Sequence, residues 1–483
     1  MNKNYLSQVV WLVVLTIGIL LFMSTIQPIN INFTIKQIDI LSDLRSHNTD
    51  QYDDSISVAT DVLTDTASIA ITAIDSTTLI SDTTLLENNL LTTQQIAQVK
   101  RKEGDITLIE DYSIEQNGID KLIDAIDNRN NIGRTVRVAF LGDSFIEADI
   151  FTQNVRQALQ DMYGGCGVGY MPMHSDFPGF RRSITQSDKG WTTHNVIKDC
   201  QYDDTSLPLQ LFIASDKGAN TRYKGVNKLR HIDRWETSKV VFIARDTATL
   251  TLKTDSTLHT YDIVASDVAQ CITLNEVTSS LEVRCNSNQL SIWGTWLDAH
   301  QGIAIDNISM RGYSGTTFTQ IPIKRMRELN NMIPHDMIVL QYGLNRMTTT
   351  ITNYEAYTVQ LIAAINQLRQ AFPDTPILIM GIGDRCQNEN GEMKTLPAVY
   401  GMRKAQRDAA IKTGCLFWDT CEAMKSLGGM PAFVENKWGN KDYTHINHAG
   451  GRPLADEFVK ALNYALNNRN NHLSHPTETT EYE

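Results

Sequence analysis

The stretch TVRVAFLGDSFIEA, Thr135 to Ala148, decides how the rest of the chain reads. Val136, Val138 and Phe140 belong to a short apolar run bounded by turn residues, which is the pattern of a buried strand. From Phe145 onward, Ile146, Ile150, Phe151, Val155 and Leu159 recur at helical spacing. A strand running straight into a helix is expected, with Gly142-Asp143-Ser144 at the joint. Ser144 then sits where the first unpaired N–H groups of the helix point, a place that suits a nucleophilic hydroxyl. Simple capping of the helix by Asp143 and Ser144 is the competing reading.

The far end of the chain favours the nucleophile. A hydroxyl needs a base, and the base needs a carboxylate to fix its tautomer; Asp442-Tyr443-Thr444-His445 offers both on one turn. Between them lie Tyr313-Ser314-Gly315-Thr316-Thr317 and Tyr342-Gly343-Leu344-Asn345. Taken in order, these blocks resemble those of the SGNH (GDSL) hydrolase family. The resemblance implies that Ser144 is the nucleophile, His445 the base and Asp442 its orienting carboxylate. It also implies an oxyanion hole made by the N–H groups of Ser144 and Gly315 and the side-chain amide of Asn345. Phe145 stands where the family has leucine, and Arg346 where an aspartate is frequent. Gly312 competes with Gly315, but Ser-Gly-Thr-Thr is the closer match.

A metal reading exists too, since Asp442, His445 and His448 can be spaced along one helix face. Asn447 and Gly450-Gly451 argue for a loop instead, and no further Cys or His cluster completes a ligand set. No metal and no cofactor is expected.

At 483 residues the chain has room for two domains and extras, and a net charge of −12 argues against nucleic acid as a partner. Cys166, Cys200, Cys271, Cys285, Cys386, Cys415 and Cys421 show no CxxC spacing, though Cys271 and Cys285 could bridge neighbouring strands in an oxidising compartment. Val9 to Met23 is an uncharged apolar run that extends to Ile26, close to the ~20 residues that span a bilayer. Ser24 to Pro28 offers no A-x-A pattern, so residues 1–28 read as an uncleaved transmembrane anchor. Lys3 favours a cytoplasmic N-terminus, an inner-membrane single pass and an exported remainder. Residues 29–104, rich in Ser, Thr and Asp, read as a tether.

Residues 105–165 form the first part of the hydrolase domain, with an amphipathic helix over Ile119 to Ile126 beside the first strand. The cluster Gly164-Gly165-Cys166-Gly167-Val168-Gly169 lacks the G-K-[ST] ending of a phosphate loop and follows a helix, so it reads as a tight exit. Over 166–303 the periodicity changes to two: Leu207 to Ile213, Lys239 to Ile243, Thr247 to Lys253, Tyr261 to Val264, Leu281 to Cys285 and Gln289 to Trp293 read as strands. An inserted β-sandwich is expected, and it resembles the carbohydrate-binding-like insert of peptidoglycan O-acetylesterases in the same family. Trp191, Trp235 and Trp296 are the candidates for stacking on sugar rings, with core packing as the alternative.

Residues 304–474 resume the hydrolase domain. Ala304 to Met310, Met337 to Gln341, Ile377 to Gly381 and Cys415 to Trp418 read as strands; Tyr354 to Ala371, Met402 to Thr413 and Pro453 to Leu466 read as helices. Alternation of this kind means a parallel sheet covered on both faces, hence a three-layer α/β/α SGNH-hydrolase fold interrupted by an all-β insert. Residues 475–483 read as a disordered tail. The resemblance implies an exported serine esterase that removes acetyl or other small acyl groups from peptidoglycan or another envelope polysaccharide. Its partners would be an acylated polysaccharide or other ester and, through the N-terminal helix, the membrane. Acyl transfer to a sugar would use the same acyl-enzyme, and an inactive glycan-binding envelope protein is the reading from a different class.

Overall fold

A strand covered on both faces has no side to leave polar, so the central strands of this protein are continuous apolar runs. In the computed structural model, which describes residues 91–197 and 209–468, six strands form the central sheet. They are β1 (Ile109–Asp111), β2 (Val136–Gly142), β3 (Ile303–Ser309), β4 (Met337–Gln341), β5 (Ile377–Met380) and β6 (Leu416–Trp418). The order across the sheet is β3-β2-β4-β5-β6-β1. All neighbours pair in parallel except β1, which lies antiparallel on β6.

Successive side chains of a strand point to opposite faces, and this alternation builds two cores. Val138 and Phe140 of β2 pack with Leu122, Ile126, Val155, Leu159 and Phe458, from helices Asp120–Asp127, Thr152–Tyr163 and His448–Asn467. Ala139 and Leu141 face the other way, towards Met326, Leu361, Ile365 and Met402 from helices Ile323–Met332, Glu355–Ala371 and Pro397–Thr413. The result is three layers, helix on sheet on helix.

Between the helix Thr152–Tyr163 and β3 the chain builds two antiparallel sheets. The larger orders Ser266–Thr278, Trp235–Ala244, Leu290–Asp298, Gln210–Ala214 and Trp191–Asn195, with Gly169–Met171 also paired to Leu290–Asp298. The smaller orders Leu258–Ile263, Ala248–Lys253, Ser280–Cys285, Ala219–Gly225 and Ile184–Lys189. Side chains from both sheets, Val240, Phe242 and Ile292 with Leu250, Leu281 and Val283, share one apolar cluster. Exit and return are clasped together: the Ile303 N–H donates to the Gly164 carbonyl at 3.0 Å. A Cβ on Gly165 would lie 2.5 Å from the Ile303 carbonyl oxygen, so only glycine fits this crossing. Arg137 of β2 joins the sandwich to the central sheet, donating to Asp298 at 2.5 Å and to Asp306 of β3 at 2.7 Å, with all three side chains buried.

Several expectations change here. Trp235 and Trp296 are fully buried, and Trp191 is half-buried with its indole N–H donating to the Asn220 carbonyl and the Thr221 hydroxyl. Neither Trp235 nor Trp296 offers a ring face to a sugar. Cys271 lies in the larger sheet and Cys285 in the smaller; both are free thiols, as are the other described cysteines. The end of the expected tether carries a capped helix, Thr93–Gln98, and buried Leu91 and Val99. Among the described residues no helix is long and apolar enough to cross a membrane. The anchor expected over 1–28, most of the tether and the tail 475–483 lie outside the described residues.

Candidate active site

The chain beyond Ser144 does not enter a helix directly. Asp143 Oδ1 accepts the Phe145 N–H at 2.9 Å, and a short 3-10 turn, Glu147–Asp149, follows. Ala148 and Asp149 are both left-handed, with φ of 62° and 63°, and the helix begins only at Thr152. Ser144 therefore sits on a turn at the carboxyl end of β2, and the α-helix expected to start there begins eight residues later. The reason lies under the loop. Asp149 is buried and accepts from Arg156 at 2.6 and 3.0 Å, from Ser183 at 2.5 Å and from Asn307 at 3.2 Å. Burial alone would raise the Asp149 carboxyl, but the Arg156 and Arg181 guanidiniums hold it well below the ordinary carboxylate range. These charge-assisted bonds offset two residues of left-handed backbone.

Asn345 ties the next two loops to this one. It lies on the turn Leu344–Arg346 after β4, and its Nδ2 donates to Asp143 Oδ2 at 3.0 Å and to the Tyr313 carbonyl at 3.1 Å. Those two acceptors take the place of the aspartate absent at Arg346. They also occupy both amide hydrogens, so donation to an oxyanion requires one of them to be exchanged. Gly315, with φ of 73°, rests against the buried Tyr342 ring, where an added Cβ would meet Cδ2 at 2.5 Å. Burial pushes the Asp143 carboxyl up to about 7, against the Phe145 N–H and the nearby His445 imidazole, which both favour its ionised form.

The fourth loop holds the expected base. His445 Nδ1 lies 2.7 Å from Asp442 Oδ2, while Asp442 Oδ1 accepts the N–H groups of Thr444 and His445 at 2.9 and 3.1 Å. Burial works to raise the Asp442 carboxyl, yet the His445 ring and these backbone donors hold it at about 2. An ionised carboxylate only accepts, so Nδ1 carries the proton and Nε2 is the basic nitrogen. Among the described residues the Ser144 hydroxyl has no hydrogen-bond partner: the structure joins His445 to Asp442 and Asn345 to Asp143, but leaves the Ser144–His445 bond unmade. Such bonds are often long before substrate arrives.

His448 is not on a loop. It opens the helix His448–Asn467, capped by Asn447, whose side chain accepts from Ala449 and Gly450. The glycines that suggested a loop are there for close packing; a Cβ on Gly451 would lie 1.9 Å from the Ile150 carbonyl oxygen. His448 Nε2 donates to the Phe180 carbonyl at 3.0 Å and Nδ1 accepts from Gln153 at 3.0 Å, which uses both ring nitrogens. Burial pushes its imidazole below the ordinary value. The segment it holds, the turn Pro178–Phe180 with Phe177 just before it, lies outside every sequence motif. The signal was there, in two large apolar residues flanking Pro-Gly outside any periodic run.

No family model matches the chain, and no curated protein matches it. Solved structures do. A peptidoglycan O-acetylesterase superposes with a TM-score of 0.59 at 19% identity, over 72% of this chain and 96% of that one. The fold is SGNH/GDSL hydrolase-like. The salicylyl-acyltransferase SsfX3 of a tetracycline biosynthetic pathway overlaps only loosely, at a TM-score of 0.28, with 14% identity over 59% of this chain and 95% of that one. A family two carbohydrate esterase from Cellvibrio japonicus overlaps at 0.25, with 8% identity over 59% of this chain and 99% of that one. At this level of identity the O-acetylesterase bears on the fold alone.

Proposed function

We propose that the protein is an exported serine esterase that hydrolyses acetyl or other small acyl esters on peptidoglycan or another envelope polysaccharide. The observation that carries this reading is the His445–Asp442 pair, 2.7 Å apart, together with Ser144 and Asn345 on the loops at the carboxyl ends of β2 and β4. His445 Nε2 takes the Ser144 proton as Oγ attacks the ester carbonyl, and Asp442 stabilises the imidazolium. The negative charge on the tetrahedral oxygen is met by the Ser144 and Gly315 N–H groups and by Asn345, once its amide exchanges one internal acceptor for the oxyanion. Collapse breaks the bond to the sugar oxygen, which takes the proton from His445 Nε2 and leaves as the hydroxyl. Water, activated by the same nitrogen, then releases the acyl group. The apolar segment within residues 1–28 supports an envelope location.

A serine-directed fluorophosphonate tests the reading. The protein is expected to be labelled, with labelling and p-nitrophenyl acetate hydrolysis both lost in Ser144→Ala and in His445→Ala. Absence of labelling in folded protein, or near-normal turnover in His445→Ala, would refute the triad.

A further inference from the structure

An exposed aromatic pair, away from the buried tryptophans of the sandwich, is tied to the loops that carry Ser144 and His445. Phe177 and Phe180 are 48% and 50% exposed, and their rings stack at a centroid distance of 5.2 Å with planes 11° apart. Large apolar side chains are normally buried, whereas these two are half-exposed and stack on each other. The Arg311 guanidinium sits over both rings, 5.3 and 5.8 Å from their centroids, and pairs with Glu147 at 2.5 Å.

Each tether of this pair leads to the catalytic loops. Glu147 is three residues past Ser144, and Arg311 is four before Gly315. His448, whose Nε2 fixes the Phe180 carbonyl, is three past His445. Ser183, just beyond the turn, donates to Asp149 beneath the Ser144 loop. Residues that precede the first strand of the smaller sheet are thus bolted onto the hydrolase loops at the rim of the site.

We propose that the Phe177–Phe180 pair, with Arg311, is a platform on which a pyranose ring of the acylated glycan stacks, holding the polymer while its ester reaches Ser144. This rests on the esterase reading of the same site. The surface is amphipathic in the way a sugar is: flat ring faces for the axial C–H groups, and a half-exposed guanidinium beside them for hydroxyl or carbonyl oxygens. Two half-exposed rings present on the order of 200 Å², far less than the ~800 Å² per partner of a stable protein interface. A lipid chain would need an apolar groove, not a flat pair edged by Arg311 and the exposed Asp176 carboxylate.

The test is co-sedimentation of the intact protein with insoluble O-acetylated peptidoglycan and with insoluble acetylated xylan, alongside fluorophosphonate labelling. The wild type is expected to bind at least one polymer. The double variant Phe177→Leu/Phe180→Leu, which keeps apolar bulk but loses the flat faces, should bind that polymer at least tenfold more weakly, while Phe177→Tyr/Phe180→Tyr retains binding. The ratio of kcat/KM on the polymer to kcat/KM on p-nitrophenyl acetate should fall by the same factor in the leucine pair. Binding of the leucine pair equal to wild type, loss of binding in the tyrosine pair, or binding to neither polymer by the wild type would overturn the platform. The two readings fail separately. A protein that is labelled but binds glycan without regard to these rings refutes the platform and keeps the esterase; one that binds through the rings but is never labelled does the reverse.

Discussion

Asp143 lies between the scaffold and the chemistry, and replacing it with asparagine should change how stability depends on pH. Its carboxyl is buried and pushed up to about 7, from an ordinary value of 3.8. A raised carboxyl pKa means that the folded protein holds a proton which the unfolded chain has already released. Stability from this group is therefore full below about pH 4 and is lost as pH rises through the folded value near 7. At 1.36 kcal/mol per unit, the shift of about three units corresponds to a loss on the order of 4 kcal/mol between pH 4 and pH 8. An asparagine there would carry no charge at any pH. Urea unfolding of wild type and Asp143→Asn across pH 4.5–8.5 should thus give curves that diverge, the variant gaining on the wild type by a few kcal/mol as pH rises. The absolute offset is a separate matter, because the introduced amide would face the Asn345 amide that now donates to Asp143 at 3.0 Å. Parallel curves would show that this carboxyl ionises near its unfolded value and refute the reasoning.

Two further substitutions probe the support of the site. Gly315→Ala places a Cβ 2.5 Å from the Tyr342 ring at a φ of 73°, so the loop must shift, and turnover of p-nitrophenyl acetate should fall at least tenfold; kcat within twofold of wild type would refute the oxyanion-hole role proposed for Gly315. Arg137→Met strands the buried carboxylates of Asp298 and Asp306, and should cost about 3–5 kcal/mol in urea unfolding at pH 7; a loss below about 1 kcal/mol would show that the join between sheet and sandwich does not depend on this cation.

The central strands β2, β4 and β5 could be read from the sequence because burial on both faces leaves an uninterrupted apolar run. Strand β1 could not. It reads Ile-Glu-Asp, and its buried Glu110 is held by the Tyr112 hydroxyl and by Arg407, almost three hundred positions away, which donates to it twice at 2.9 Å. The strand Ala219–Gly225 was hidden for a related reason: its inward side chains are Ala219, Thr221 and Tyr223, of which only the last is a strong hydrophobic signal. At the candidate site the motif residues were legible as types at spacings. Their supports were not, since the Asp143–Asn345 bond, the Asp149 network and the His448–Phe180 latch each join segments that have no local pattern in common. The helix expected right after Ser144 failed because Asp149, which reads as one more polar position on an amphipathic face, is pulled inward by Arg156.

The clasp at Gly164 and Ile303 bears on how the chain can assemble. Strands β2 and β3 are neighbours in the sheet, yet about 140 residues of β-sandwich separate the two clasped ends, and pairing strands so far apart is ordinarily slow. The equilibrium penalty of so long an excursion is small, since each doubling of loop length adds only ~0.6 kcal/mol. The kinetic penalty is relieved if the excursion collapses first. A sandwich already folded around its own core would bring its two ends to within one hydrogen bond of each other, and β3 would then meet β2 as though joined to it by a short turn.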